Sequence, residues 1–384
     1  MLISDLNLLH EAYRKSMRGS AWKREPEKFE HDWFSEIIQL KGELESRTYK
    51  TLPGYEFKLN ERGKIRHIHG GRMRDRVVRH ALCDYILGPY LKPYLIYNNG
   101  ASQKGKGLSF TRAQFEKDLH NYYLKYGTNE GYVGFVDFSK FFDNIQHDKV
   151  KELMYPHIPE DTHWLVDEIL SSMEVDVSYM TDEEYSGCMS RRFNSVEYHE
   201  LIPKELRTGK KFMKKSVNIG DQVSQDIGVF YPYRIDNYVK IVRGFKYYGR
   251  YMDDMYLIHS DKDYIEETIR GIEKETTELG LFINRKKTHI CRLSDRFTYL
   301  QVKYFMLDTG KVVKRINPKS LTRERRKLKA YKRLLDKGEI DYASIEQAAK
   351  SWMGCFVNLM SKDQIKNMKR LYQDLFGKEL KWKK

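Results

Sequence analysis

Residues 249–260 read GRYMDDMYLIHS and set two adjacent carboxylates, Asp253 and Asp254, between short aromatic and aliphatic runs. Like charges side by side repel, and neither is easily buried without a partner. Two readings fit. One is a hairpin turn, since Asp is a good turn residue, although Asp-Asp-Met lacks the glycine that completes most tight two-residue hairpins. The other is a divalent cation that neutralises the pair. A third carboxylate from elsewhere in the chain has to decide between them.

The segment YVGFVDFSKFFDNIQHDKV, residues 132–150, offers one. In a strand over 133–138, Val133, Phe135 and Asp137 point to one face, and Val136 and Phe138 to the other. The plainer role for Asp137 is to cap the following turn, and Asp143 suits a cap or a local ion pair. The chemical role is metal binding. Carboxylates are hard ligands suited to Mg²⁺, and phosphoryl transfer uses one metal to activate a hydroxyl and another to stabilise the leaving oxygens. Asp137 on a strand and Asp253 on a neighbouring hairpin would anchor such ions, with Asp254 orienting or neutralising the site. These acids alone are equally compatible with a nuclease.

The chain has 384 residues, enough for two or three structural domains. Lys and Arg number 69 against 54 Asp and Glu, a formal net charge of +15. That balance favours polyanionic partners such as nucleic acid and does not specify a fold. Aromatic residues make up 13%, too many for a disordered basic tail. Cys83, Cys188, Cys291 and Cys355 are far apart in sequence, which fits reduced structural thiols in a cytoplasmic protein rather than a metal knot. The start of the chain lacks the apolar core of a secretory signal, and no run reaches membrane-spanning length, so no membrane partner is expected.

Along the chain, Trp33, Ile37, Leu40 and Leu44 share one helical face. Residues 51–70 alternate as a hairpin turning at NERGK. A helical segment from Met73 is broken by Pro89 and Pro93, and NNGASQKGKGLSF is a basic, glycine-rich loop without a complete phosphate-loop pattern. Residues 172–216 read as a polar surface insertion. A glycine turn at Gly220 leads into an amphipathic segment. Ile265, Ile269, Ile272 and Leu279 mark a helix stopped by Gly280. LFINRKKTHI and RFTYLQVKYFML read as strands, and the tail as basic amphipathic helices.

Taken in order, these motifs resemble the reverse transcriptase family, particularly bacterial and phage retroelement enzymes. FVDFSKFFD resembles the first catalytic motif and YMDD the second. GKIRHIHGGRMRDRVVRHAL resembles the fingers segment, IGDQVSQ the template and nucleotide motif, and GLFINRKKTHI the next palm motif. The resemblance spans about residues 50–305. It implies an α+β, right-hand polymerase fold: a helical extension over 1–48, fingers and palm over 49–315 with the insertion at 172–216, and a small basic helical thumb over 316–384. It makes Asp137, Asp253 and Asp254 the catalytic and metal-binding acids for two Mg²⁺ ions. Nucleotide contacts are implied for Lys64, Arg66, Arg72, Phe142, Ile219, Gly220, Gln222 and Lys287, with Phe142 beneath the sugar of an incoming dNTP. Template or primer contacts are implied for Ser224, Gln225, Tyr251 and Met252.

Four positions depart from the family pattern. Ile219 stands where many relatives have Gln, as in diversity-generating retroelements. Asp221 stands where that branch has Asn, and Gln301-Val302 replaces part of the usual primer-grip sequence. The implied activity is RNA-directed DNA synthesis on a dedicated structured non-coding RNA, giving an RNA–DNA duplex, in bacterial antiviral defence. The alternative programme is error-prone diversification. An accessory protein at the insertion or the N-terminal helices is compatible with either. A two-metal nuclease and an RNA-binding scaffold rank lower.

Overall fold

The structure of the chain, a computed structural model, describes residues 2–61, 63–195 and 202–381. It divides into two compact units, Met1–Phe115 with Gly134–His289, and Glu116–Val133 with Ile290–Lys384. The architecture is α+β.

In the first unit, helices Leu6–Met17, Trp33–Glu45 and Met73–Leu82 pack on one another. Ile37, Leu40 and Leu44 are buried as their spacing predicts, and Trp33 stacks on Tyr13 with ring centroids 5.6 Å apart. Pro89 and Pro93 do not break the segment that follows Met73. The helix runs into a π turn, Cys83–Leu87, where the Gly88 N–H reaches back to the Cys83 carbonyl. Pro89 then falls in the first turn of Gly88–Leu91, and Pro93 in that of Lys92–Tyr94, where a missing N–H costs little.

Strands β1 (Tyr55–Glu61) and β2 (Lys64–Gly70) form an antiparallel hairpin in the register Tyr55↔Gly70 to Glu61↔Lys64. Gly63 takes φ +81° in its turn, and Arg62 lies outside the described residues. Farther along the chain come β3 (Tyr132–Asp137), the short pair β4 (Val175–Asp176) and β5 (Phe212–Met213), β6 (Tyr247–Tyr251), β7 (Asp254–His259) and β8 (His289–Arg292). The main sheet has the order β6-β7-β3-β8. Val133 to Asp137 are all buried. An apolar strand buried on both faces is therefore what carries Asp137.

Two sequence expectations need correction here. The 172–216 segment is more than a polar surface loop: Val175, Val177, Met180, Phe193 and Met213 close a small core of their own. These apolar residues are scattered between charges without a period, which hides them from pattern reading. Residues 196–201 lie outside the described residues. LFINRKKTHI is a strand only at its end. Ile283 makes one bridge to Phe138, the Lys287 and Thr288 N–H groups then fold back onto the Asn284 carbonyl, and β8 begins at His289.

The second unit contains a sheet in the order β11-β10-β9, from β9 (Phe297–Tyr299), β10 (Val302–Met306) and β11 (Val312–Ile316). Leu300 and Gln301 form the β9–β10 turn with φ +43° and +71°, the left-handed values that a primed two-residue turn requires. Helices Pro318–Asp336, Tyr342–Phe356 and Lys362–Phe376 follow. Leu321, Leu328, Ile345, Met353, Met368 and Tyr372 form their shared core. Arg325, Arg326, Lys327 and Lys329 stay exposed on the first of them. Among the described residues no helix is long and apolar enough to cross a membrane.

Candidate active site

The two readings of GRYMDDMYLIHS turn out to be compatible. Tyr251 pairs with Asp254 across the β6–β7 hairpin, which leaves Met252 and Asp253 as a two-residue turn. Met252 takes φ +56°, a left-handed value that glycine would adopt more easily. What holds it is a buried arginine. Arg250 donates through Nη1 to the Met252 carbonyl at 3.0 Å and through Nη2 to the Val229 carbonyl at 2.8 Å. The same guanidinium makes a two-pronged pair with Asp236, Nε to Oδ1 at 3.0 Å and Nη2 to Oδ2 at 2.7 Å, and both side chains are fully buried. Tyr248 Oη donates to Asp236 as well, at 2.6 Å. A fork of donors in fixed geometry is what arginine supplies and lysine cannot.

Asp137 sits at the end of β3, and its neighbours come from the 284–288 turn. Asn284 Nδ2 donates to Asp137 Oδ1 at 2.9 Å, and the Asn284 N–H donates to the Asp137 carbonyl at 2.7 Å. Lys287 Nζ contacts Asp137 Oδ2 in an ion pair. Asp254 lies within hydrogen-bonding reach of Asp137. Burial, then the charge of Asp137, pushes Asp253 above the usual aspartate range. Burial first, then Asp253 and Asp137, pushes Asp254 up to about 7. Burial alone would pull Lys287 down, but its bond to Asp137 and the charges of all three acids outweigh that and hold it above the ordinary lysine value. Two carboxylates pushed above the usual aspartate range, beside a third that an ammonium contacts, describe a site that favours added positive charge. The donors are hard oxygens, which fits Mg²⁺.

A cavity of about 770 Å³ opens beside the acids, lined by Arg66, Phe142, Ile219, Asp253, Asn284 and Lys287 among others. The 172–216 segment contributes Asp176, Arg192, Asn194 and Arg207 to its wall. Arg66 also pairs with Glu61 at 2.8 Å. Arg72 is not among the lining residues; its Nε donates to the Pro53 carbonyl at 3.0 Å. Lys64 belongs to β2, but its side chain falls outside the described residues. Gly220, φ +104°, lies against β2: a Cβ there would sit 3.1 Å from Ile68 Cγ2. The Ile219 carbonyl accepts from the His69 N–H at 3.2 Å, so this turn is tied to β2. Gln222 Oε1 is buried with no hydrogen-bond partner among the described residues. Ser224 is fully buried, its hydroxyl 3.5 Å from Met173 Sδ, and Gln225 Oε1 accepts from Ser102 at 3.1 Å. Of the predicted residues, Asp253, Lys287, Arg66, Phe142 and Ile219 line the cavity, and Asp137 and Asp254 stand beside them, Asp137 paired with Lys287. Arg72, Gly220, Gln222, Ser224, Gln225, Tyr251 and Met252 are not on its wall.

The family described as Reverse transcriptase (RNA-dependent DNA polymerase) matches residues 60–304, well over half of the chain. The chain belongs to the reverse transcriptase family. No curated protein sequence matches it. Among solved structures, apo telomerase from Candida tropicalis matches at 15% identity with a TM-score of 0.40, over 69% of this chain and 49% of that one. The chain thus spans about half the length of that structure.

Several residues of this reverse transcriptase site escaped the sequence reading. Asn284, which fixes both the carbonyl and the carboxylate of Asp137, sits in a motif read for its lysine. Arg250 and Asp236 are 14 positions apart and show no local pattern. Asp221, noted as a departure, has a structural use: Oδ1 caps the Gln222–Phe230 helix by accepting from the Val223 N–H at 2.9 Å, and Oδ2 pairs with buried Arg79. Gly228 leaves room for the turn, since a Cβ there would lie 3.2 Å from Met252 Sδ and 3.3 Å from the Phe141 and Phe142 rings.

Proposed function

We propose that the chain is an RNA-directed DNA polymerase that copies a dedicated structured non-coding RNA into cDNA from dNTPs. The reading rests on one observation above all: Asp137, Asp253 and Asp254, from two adjacent strands and the turn between β6 and β7, converge beside a cavity lined by cations and Phe142. In this reading residues 49–315 are fingers and palm, 316–384 a thumb and 1–48 a helical extension. Two Mg²⁺ ions on the three acids would activate the primer hydroxyl and stabilise the leaving oxygens. Lys287 pairs with Asp137, and with metal ions on that carboxylate its ammonium would be free to meet phosphate oxygens of the triphosphate. Arg66 and Lys64 steer the triphosphate, and Phe142 packs beneath the deoxyribose and leaves no room for a 2′-hydroxyl. Arg250 fixes the Met252–Asp253 backbone so that the carboxylate does not have to find its position during turnover.

For the biological programme we favour cDNA synthesis in bacterial antiviral defence, in the cytoplasm. The 172–216 segment supports this reading: it is a folded insertion that lines the cavity, and the resemblance to diversity-generating enzymes does not account for it. Ile219 on the cavity wall supports the second programme, error-prone copying into a variable gene. Sequencing the RNA and cDNA that copurify with the active enzyme tests both. A non-coding template with cDNA that rises on phage infection is the expected result. Products matching a variable gene, with errors clustered at one template base, would move the assignment to diversification.

A further inference from the structure

We infer that Glu56, His67 and His69 on the β1–β2 hairpin form a binding site for one transition-metal ion of the zinc class, separate from the aspartates. The hairpin register sets Glu56 directly across from His69, and His67, two residues along β2, points to the same face. The three side chains meet. Glu56 Oε1 is 3.2 Å from His69 Nδ1, Glu56 Oε2 is 3.5 Å from His67 Nε2, and His67 Nδ1 is 3.1 Å from His69 Nε2. One donor atom from each residue fits within 4.8 Å of the others. Donors about 2.0–2.2 Å from a tetrahedral zinc ion lie roughly 3.3–3.6 Å apart, so small side-chain rotations complete the set.

The donor chemistry selects the metal. Two imidazoles and one carboxylate suit Zn²⁺ and its neighbours, whereas Mg²⁺ prefers oxygen ligands. Three protein ligands leave a fourth position open, and all three residues line the same cavity as Asp253 and Lys287. β1 is exposed along its length, so cross-strand ligation would hold together a hairpin with little core beneath it. The inference does not depend on the polymerase reading, because none of the three residues belongs to the aspartate cluster.

The test uses the full chain, stripped with chelator and then titrated with Zn²⁺ in millimolar Mg²⁺ against a chromophoric competitor. One tightly held equivalent is expected, and Asp253→Asn should keep it. Glu56→Gln and His69→Asn should each weaken it by at least about tenfold. Amide exchange over 55–70 should slow on zinc addition in the parent chain and not in His67→Asn/His69→Asn, a readout that shows whether the variant hairpin is still formed without metal. Failure of the parent chain to hold zinc against Mg²⁺ would reduce the cluster to a hydrogen-bonded network only. Equal zinc binding by the double variant would place the ion elsewhere. Either result overturns the inference.

Discussion

Asp254 carries the clearest consequence of crowding carboxylates. Burial and its two acidic neighbours push it up to about 7, while an unfolded aspartate titrates near its ordinary value of roughly 3.9. Between those values the folded protein binds the extra proton, so the contribution of Asp254 to stability is greatest below pH 4 and falls as pH rises through 7. In metal-free buffer, Asp254→Asn should therefore leave unfolding at pH 4 almost unchanged. At pH 8 it should stabilise the fold, by a term on the order of 2–4 kcal/mol. Urea titrations of the two proteins at both pH values check this, and equal midpoints at pH 8 would contradict it. A parent-minus-variant difference is needed because half-buried Asp226, which desolvation also pushes up to about 7, titrates in the same window. The sugar gate belongs to this scale as well. Phe142→Ala should raise rNTP use relative to dNTP use by roughly 10–200-fold, the range that pocket shape alone supplies. Matched single-nucleotide kinetics with an unchanged ratio would remove Phe142 from that role.

At the scale of elements, the hairpin and the helix beside it act together. In most helices Gly→Ala gains about 1 kcal/mol. At Gly228 the new Cβ would press on Met252 Sδ and both phenylalanine rings, so the gain is offset and the Asp253 turn is displaced. Gly228→Ala should stay within about 1 kcal/mol of the parent in stability and still lose about tenfold or more in nucleotide incorporation. Full activity with a higher melting temperature would show that the turn does not depend on this packing. The elements also mark what could be read from sequence. An apolar run ending in Asp137, a paired Asp253-Asp254 and an alternating 51–70 segment are local signals; the first became a strand, the second a turn, and the third a hairpin whose pairing begins at Tyr55. Arg250 with Asp236, Arg79 with Asp221 and Asn284 with Asp137 are pairings that only the folded chain makes, so no spacing announced them. The core within 172–216 was hidden because its apolar residues follow no single period.

At the scale of the whole molecule, the net charge of +15 is not evenly used. Exposed Arg325, Arg326 and Lys329 sit on a helix whose apolar side is already committed to the C-terminal core. Cations of this kind suit phosphates rather than base edges, which gives duplex affinity with little sequence preference. Replacing the three with Ala should weaken binding to an RNA–DNA duplex and shorten extension products. It should also lower the slope of log affinity against log salt by up to about 0.9 for each phosphate that is no longer neutralised. Binding measured from low to moderate salt provides the check, and an unchanged slope would reassign these charges to solvation of the helix surface. The most direct test of polymerase function is primer extension on an RNA template by the purified chain and by Asp253→Asn, with Mg²⁺ and dNTPs. A ladder of single-nucleotide additions is expected from the parent and almost none from the folded variant; equal extension by both, or shortening of the primer without dNTP-dependent growth, would contradict the assignment.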